Sequence, residues 1–156
     1  MNKKLIQLLS EREFVSVATC NFDGRPNAAP KFLLKFHDNF IYLVDYIIGR
    51  TFHNLKVNPR ASISFMDTNS LVGYQLNGKV EVIESGPEYE IFVKELFQRE
   101  IDLSARRIVE GVTKGKSHEG YELTISDNIV IFKVKVEEIV EMSSSGVLKR
   151  ESLLIL

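Results

Sequence analysis

Gly49-Arg50-Thr51 opens a short helical segment, residues 50–57, that follows the apolar strand at 40–45. A glycine, a guanidinium and a hydroxyl at a helix start make an anion site. The first-turn N–H groups lack intrahelical partners and carry the positive end of the helix dipole. Arg50 adds a planar fork of donors suited to phosphate, and Thr51 a short hydroxyl donor. Phosphate bound after a strand in a small β-rich chain points to a nucleotide-like cofactor. His53 lies one turn along the same helix and is placed either toward the anion or on the surface.

Other chemistries find less support. His37, His53 and His118 are far apart, with no second ligand type at metal spacing, so no metal site is expected. Cys20 lies in an apolar strand and reads as a small core residue. Lys114-Gly115-Lys116 lacks the spacing and preceding strand of a phosphate loop and reads as solvated. Pro30, inside a strand, removes a ladder donor. It marks either a strand edge or a place where freed backbone meets a planar ligand.

The elements that must position these groups follow from periodicity. A helix spans residues 2–12, capped by Asn2. Strands follow at 14–20 and 27–36, joined by the Asn21-Phe22-Asp23-Gly24 turn, and at 40–45. The helix at 50–57 stops at Asn58-Pro59. Strands at 61–66 and 71–84 come next, and Gly73 and Gly78 in the second suggest a bulge or close backbone approach. Ser85-Gly86-Pro87-Glu88 starts a helix, by a capping box from Ser85 or with Pro87 as its first residue. Tyr89, Phe92, Val93, Leu96 and Phe97 form its apolar face. A separate short helix is expected at 104–110, ending at Gly111, then a polar surface loop over 113–127. A last strand spans 129–140. The apolar tail Leu153-Leu154-Ile155-Leu156 docks on the core or on a partner. Six antiparallel strands with outer helices indicate a mostly β fold, a β-barrel with flanking helices.

The chain has 156 residues, 44% apolar, with a net charge of −1. That is enough for one domain over 1–156, with a helical and loop insertion at about 86–127. Near-neutral charge argues against nucleic acid or membrane surface as partner. One cysteine allows no internal disulfide. No long apolar stretch or leader-like start is seen, so the expected location is cytoplasmic.

The order of the pieces is a further signal. Asp23-Gly24-Arg25-Pro26, the strand through Pro30-Lys31-Phe32, the strand ending Val44-Asp45, the helix running from Gly49-Arg50-Thr51 through Asn54-Leu55 to Asn58-Pro59, and Gly78-Lys79-Val80 together resemble the pyridoxamine 5′-phosphate oxidase-like family of FMN-binding split barrels. The resemblance covers residues 5–90 best. It implies a six-stranded antiparallel split barrel, and a homodimer with FMN at the subunit interface.

By position it makes Arg50 and Thr51 the phosphate pair, Pro30, Lys31 and Phe32 the strand along the flavin ring, and Val44 and Asp45 the end of the next lining strand. Gly49 begins the phosphate turn. Gly73, Tyr74 and Gln75 match a strand that approaches the cofactor from the other subunit, and Asn54 matches a frequent helix asparagine. A lysine of the true oxidase falls here on Leu34, with Lys35 expected on the opposite strand face. The oxidase's Trp-rich substrate segment is missing, for this chain has no tryptophan. The expectation is an FMN-dependent oxidoreductase acting on a small molecule other than the oxidase's substrate. In it Lys31 acts as a cation favouring the anionic reduced flavin. The alternative is a non-enzymatic flavin- or haem-binding module.

Overall fold

The computed structural model describes residues 3–115 and 128–153. Its elements run α1 (Lys3–Ser10), β1 (Phe14–Cys20), β2 (Pro26–His37), β3 (Phe40–Asp45), α2 (Arg50–Val57), β4 (Arg60–Asp67), β5 (Val72–Ile83), α3 (Pro87–Thr113), β6 (Val130–Ser143) and β7 (Leu148–Ser152). The strands order as β3-β2-β1-β4-β5-β6-β7, all antiparallel, and β3 also pairs with β6. The β3–β6 pairing closes a six-stranded barrel. β7 hangs on the far half of β6, from Glu138 to Met142.

Alternation along the strands sorts their side chains. Val15, Val17, Leu33, Ile41, Leu43, Ile63, Leu76, Phe132 and Val134 fill the interior, and Leu5 and Leu9 of α1 join them. Alternate residues face outward. Phe32, Leu34, Val44 and Ile131 form a second apolar layer beneath Phe92, Leu96 and Leu103 of α3. Gly78 sits at a register shift in β5, and a Cβ there would lie 2.3 Å from the Lys135 carbonyl oxygen. The close approach expected at this glycine is therefore present.

Three expectations need correction. The helices expected near 89–97 and 104–110 are one continuous helix of 27 residues. Its first residue is Pro87, and Gly86, at φ 96°, makes no side-chain cap. Gly111 is a buried position inside it, not its end. Lys35 does not oppose Leu34. A bulge between Leu33 and Lys35 lets both reach the α3 side, where Lys35 pairs with Glu95 at 2.6 Å and lies over the Phe92 ring. β7 was not anticipated. Of the loop expected over 113–127, Thr113 belongs to α3 and residues 116–127 lie outside the described residues, as do the Asn2 cap and the tail from Leu154.

Among the described residues no helix is long and apolar enough to cross a membrane. None of their His, Cys, Asp and Glu side chains group as a metal site.

Candidate functional site

β2 and β3 pair only from Phe32 onward, where Phe32 meets Val44. Upstream of that point β2 continues to Pro26 with β1 as its one strand partner among the described residues. This unpaired edge is where Pro30 sits, opposite Ser16 of β1, so its missing N–H costs no ladder bond on the open side. The strand-edge reading of Pro30 holds, and the same edge forms a cleft wall.

β3 ends at Asp45, and the chain passes through Tyr46-Ile47-Ile48 to Gly49, the N-cap of α2. The linker and the first turn of α2 thereby cross in front of the exposed edge of β2. Between them lies a cleft of about 340 Å³. Of the residues that the resemblance places around the cofactor, Pro30, Lys31, Phe32, Val44, Asp45, Gly49, Arg50 and Thr51 line this cleft together. Phe14, Asn27, Ala29, Tyr46 and Ile47 line it too and were not anticipated. Alternation from Lys31 back to Ala29 and Asn27 gives a signal that could have found two of these.

The helix end has the features of an anion site. Gly49 has an extended backbone and caps no N–H with a side chain. Thr51 is buried, and its Oγ1 accepts a hydrogen bond from Asn27 Nδ2 at 3.0 Å. Because Asn27 supplies that proton, the threonine's own O–H is left to donate elsewhere. Arg50 is exposed at the cleft and makes no ion pair among the described residues.

At the other end of the cleft Lys31 and Asp45 form a buried ion pair. Nζ lies 2.9 Å from Oδ1, with the side chains 10% and 3% exposed. Lys31 shares its strand face with Leu33, and Asp45 with Leu43, so the pair sits at the mouth of the barrel interior. The Ile47 N–H also donates to Asp45 Oδ1, at 3.3 Å. Asp45 Oδ2 is buried with no hydrogen-bond partner among the described residues. The Asp45 charge is answered by Lys31 on the adjacent strand.

The apolar wall combines Phe14, Phe32 and Tyr46. Phe32 meets Phe14 edge-on at 5.6 Å and Tyr46 at 6.2 Å. The Tyr46 hydroxyl donates to the buried carboxylate of Glu100 on α3. Burial, then the Glu100 hydrogen bond and charge, push the phenol well above the usual tyrosine range. Tyr46 therefore stays protonated and ties the cleft to α3.

The remaining expected residues lie elsewhere. Asn54 is buried and donates to Thr19 Oγ1 at 3.1 Å, away from the cleft lining. Gly73, Tyr74 and Gln75 are on β5, outside this cleft. Tyr74 stacks on Phe65 and is enclosed in the core, while Gln75 donates to Ser62 Oγ at 2.9 Å. His53 is exposed and does not line the cleft. Cys20 is half-buried, with the Asn58 side-chain amide against its sulfur at 3.2 Å.

A family model described as pyridoxamine 5′-phosphate oxidase matches residues 1–142. No curated protein matches the chain significantly. Among solved structures, it is similar to a Clostridium acetobutylicum protein related to general stress protein 26 of B. subtilis (pyridoxinephosphate oxidase family). That match has TM-score 0.67 and 17% identity, over 98% of this chain and 97% of the other. A pyridoxamine 5′-phosphate oxidase-related, FMN binding protein from Nostoc punctiforme PCC 73102 aligns with TM-score 0.58 and 14% identity, over 98% and 96%. A heme binding protein from Mycobacterium smegmatis aligns with TM-score 0.56 and 18% identity, over 92% of this chain and 54% of that one. At such identities the likeness is one of fold.

Proposed function

The chain belongs to the pyridoxamine 5′-phosphate oxidase family, and from that premise we propose that it binds FMN in the cleft between β2, β3 and α2 and acts as an oxidoreductase on a small molecule. The observation that carries this reading is the helix end. Arg50 has no counter-ion among the described residues, Thr51 has a hydroxyl proton to give, and the first turn of α2 is uncapped. These donors converge beside an apolar wall, which suits a ligand with a phosphate at one end and a flat ring at the other.

FMN would supply the hydride or electron transfer; the chain's residues bind and orient. Arg50, Thr51 and the first-turn N–H groups hold the phosphate. Phe14, Phe32 and Ile47 shield the ring from water. The buried Lys31–Asp45 pair sets the charge near it. The oxidase's own reaction is not proposed, because these 156 residues hold no tryptophan.

A homodimer belongs to the same proposal. The cleft is lined by Phe14 and Ile47, which are 51% and 75% exposed. Large apolar side chains bordering a ligand cleft favour cover by another chain. A second copy would supply that cover and bring the Gly73–Gln75 stretch of β5 to the ligand, through backbone at Tyr74 and side chain at Gln75.

Haem is the competing ligand, given the heme binding protein that shares the fold. The cleft favours FMN, since its lining offers phosphate donors and no histidine among the described residues. The test is the visible spectrum of the purified protein, before and after FMN is added and the excess removed. Two flavin bands with quenched fluorescence are expected. A single sharp Soret band would assign haem, and no band in either sample would overturn cofactor binding. Turnover of reduced nicotinamide with an artificial acceptor would then separate an enzyme from a flavin carrier.

A further inference from the structure

We propose that Asp45 is the charge-compensating residue of the cleft, cancelling the Lys31 cation so that a flavin bound there is reduced at a lower potential than Lys31 alone would set. This rests on the FMN reading above, and it revises the simplest role for Lys31.

A cation beside a flavin favours the reduced form. Reduction by two electrons and one proton converts neutral oxidised flavin to an anion, and a nearby positive charge stabilises the charge that develops. Lys31 by itself would do this strongly, because it is nearly buried and the field of a buried charge is weakly screened. Lys31 is not by itself. Asp45 Oδ1 lies 2.9 Å from its Nζ, so the cleft meets a short dipole in place of a net charge. The field of a dipole falls off faster with distance than that of a single charge.

The two charges depend on one another. Among the described residues Asp45 receives one backbone donor, the Ile47 N–H, and its Oδ2 receives none. Its carboxylate is thus balanced chiefly by Lys31. A buried charge without a partner is costly, which keeps the pair closed. The other charges near the cleft do not replace it. Arg50 is exposed and screened by water, Glu100 is engaged by the Tyr46 hydroxyl, Arg99 over the Phe32 ring donates to the Leu34 carbonyl, and Arg107 pairs with Glu13.

The test is the midpoint potential of FMN bound to wild-type protein and to two variants. It is read against a reference dye during slow anaerobic reduction by xanthine and xanthine oxidase. Asp45→Asn keeps the shape and removes the negative charge, so Lys31 acts unopposed. The reduced flavin is expected to gain about tenfold in binding relative to the oxidised form, which raises the two-electron potential by about 30 mV. Adding Lys31→Met to Asp45→Asn restores a neutral site, and the potential should return to the wild-type value. Where Asp45→Asn fails to fold, Asp45→Ser takes its place.

An unchanged potential in Asp45→Asn overturns the proposal. So does a rise that survives in the double variant, since that marks a structural effect and not a charge effect. Wild-type protein that takes up FMN while the variants show either of these results leaves the FMN reading standing. Wild-type protein that takes up no FMN removes both.

Discussion

Asn27 of β2 donates a hydrogen bond from Nδ2 to Oγ1 of Thr51, at 3.0 Å, and so fastens the open edge of the barrel to the first turn of α2. The bond does two things. It fixes the spacing across the cleft, and it turns the threonine hydroxyl into a donor with its own proton free. Asn27→Ala removes the fastening and leaves the helix intact. A hydrogen bond of this kind is worth about 0.5–1.5 kcal/mol. FMN affinity, followed by fluorescence quenching, is expected to fall roughly three- to tenfold on that estimate. Affinity equal to wild type would show that Asn27 does not prepare Thr51 for the phosphate.

Arg50→Ala with Thr51→Ala is the stronger version of the same test. Charge-assisted hydrogen bonds to phosphate contribute about 1.5–3 kcal/mol each. Losing both groups should weaken FMN at least a hundredfold on that scale, so the variant purifies colourless. Circular dichroism should remain that of the wild type, because Arg50 is exposed and Thr51→Ala puts a good helix former in the first turn of α2. A yellow double variant would move the phosphate away from α2.

How far this site could be read from sequence depends on what kind of signal each residue leaves. Arg50 and Thr51 announce themselves, because a glycine, a cation and a hydroxyl at a helix start are a local pattern. β1, β3 and α2 follow from alternation and a proline stop, and their bounds agree with the expectation. The Lys31–Asp45 pair leaves no local trace, since its members are 14 residues apart and meet only through strand pairing. The sequence divides α3 because Glu100 occupies the buried position one turn after Leu96, where an apolar residue would continue the stripe. Its charge is tolerated there because Tyr46, from another element, supplies the hydrogen bond. β7 has no apolar alternation, every residue in it being exposed, and it exists through pairing with β6.

Gly78 should be intolerant of even the smallest side chain. It lies in β5 at the register shift, and an added Cβ meets the Lys135 carbonyl oxygen at 2.3 Å and its carbon at 2.9 Å. Both are backbone atoms of the neighbouring strand and cannot rotate away. Gly78→Ala is expected to cost about 1–3 kcal/mol. For a chain of this size that lowers Tm by roughly 2–12 °C. Gly73→Ala is the control. Its Cβ would sit in ordinary contact with Met142, nearest at 3.7 Å, so its Tm should change much less. Equal effects at the two glycines would contradict the close approach at Gly78.

The Tyr46–Glu100 contact makes an expectation about alkaline stability whose sign can be worked out. Burial first, and then the Glu100 carboxylate, raise the Tyr46 phenol pKa in the folded chain. A tyrosine in the unfolded chain titrates near pH 10. The folded protein therefore holds this proton more tightly than the unfolded one. The stabilisation is fully present below about pH 10 and is lost as pH rises above it toward the folded value. Tyr46→Phe removes the titration and leaves the Glu100 carboxylate without its phenol donor. At pH 8 the variant should be less stable than wild type by about 1–3 kcal/mol, measured by urea unfolding. Between pH 10 and pH 11.5 that gap should narrow, because the wild type loses what the variant never had. A gap that stays constant from pH 8 to pH 11.5 would mean that the Tyr46 proton is not held between the cleft and α3.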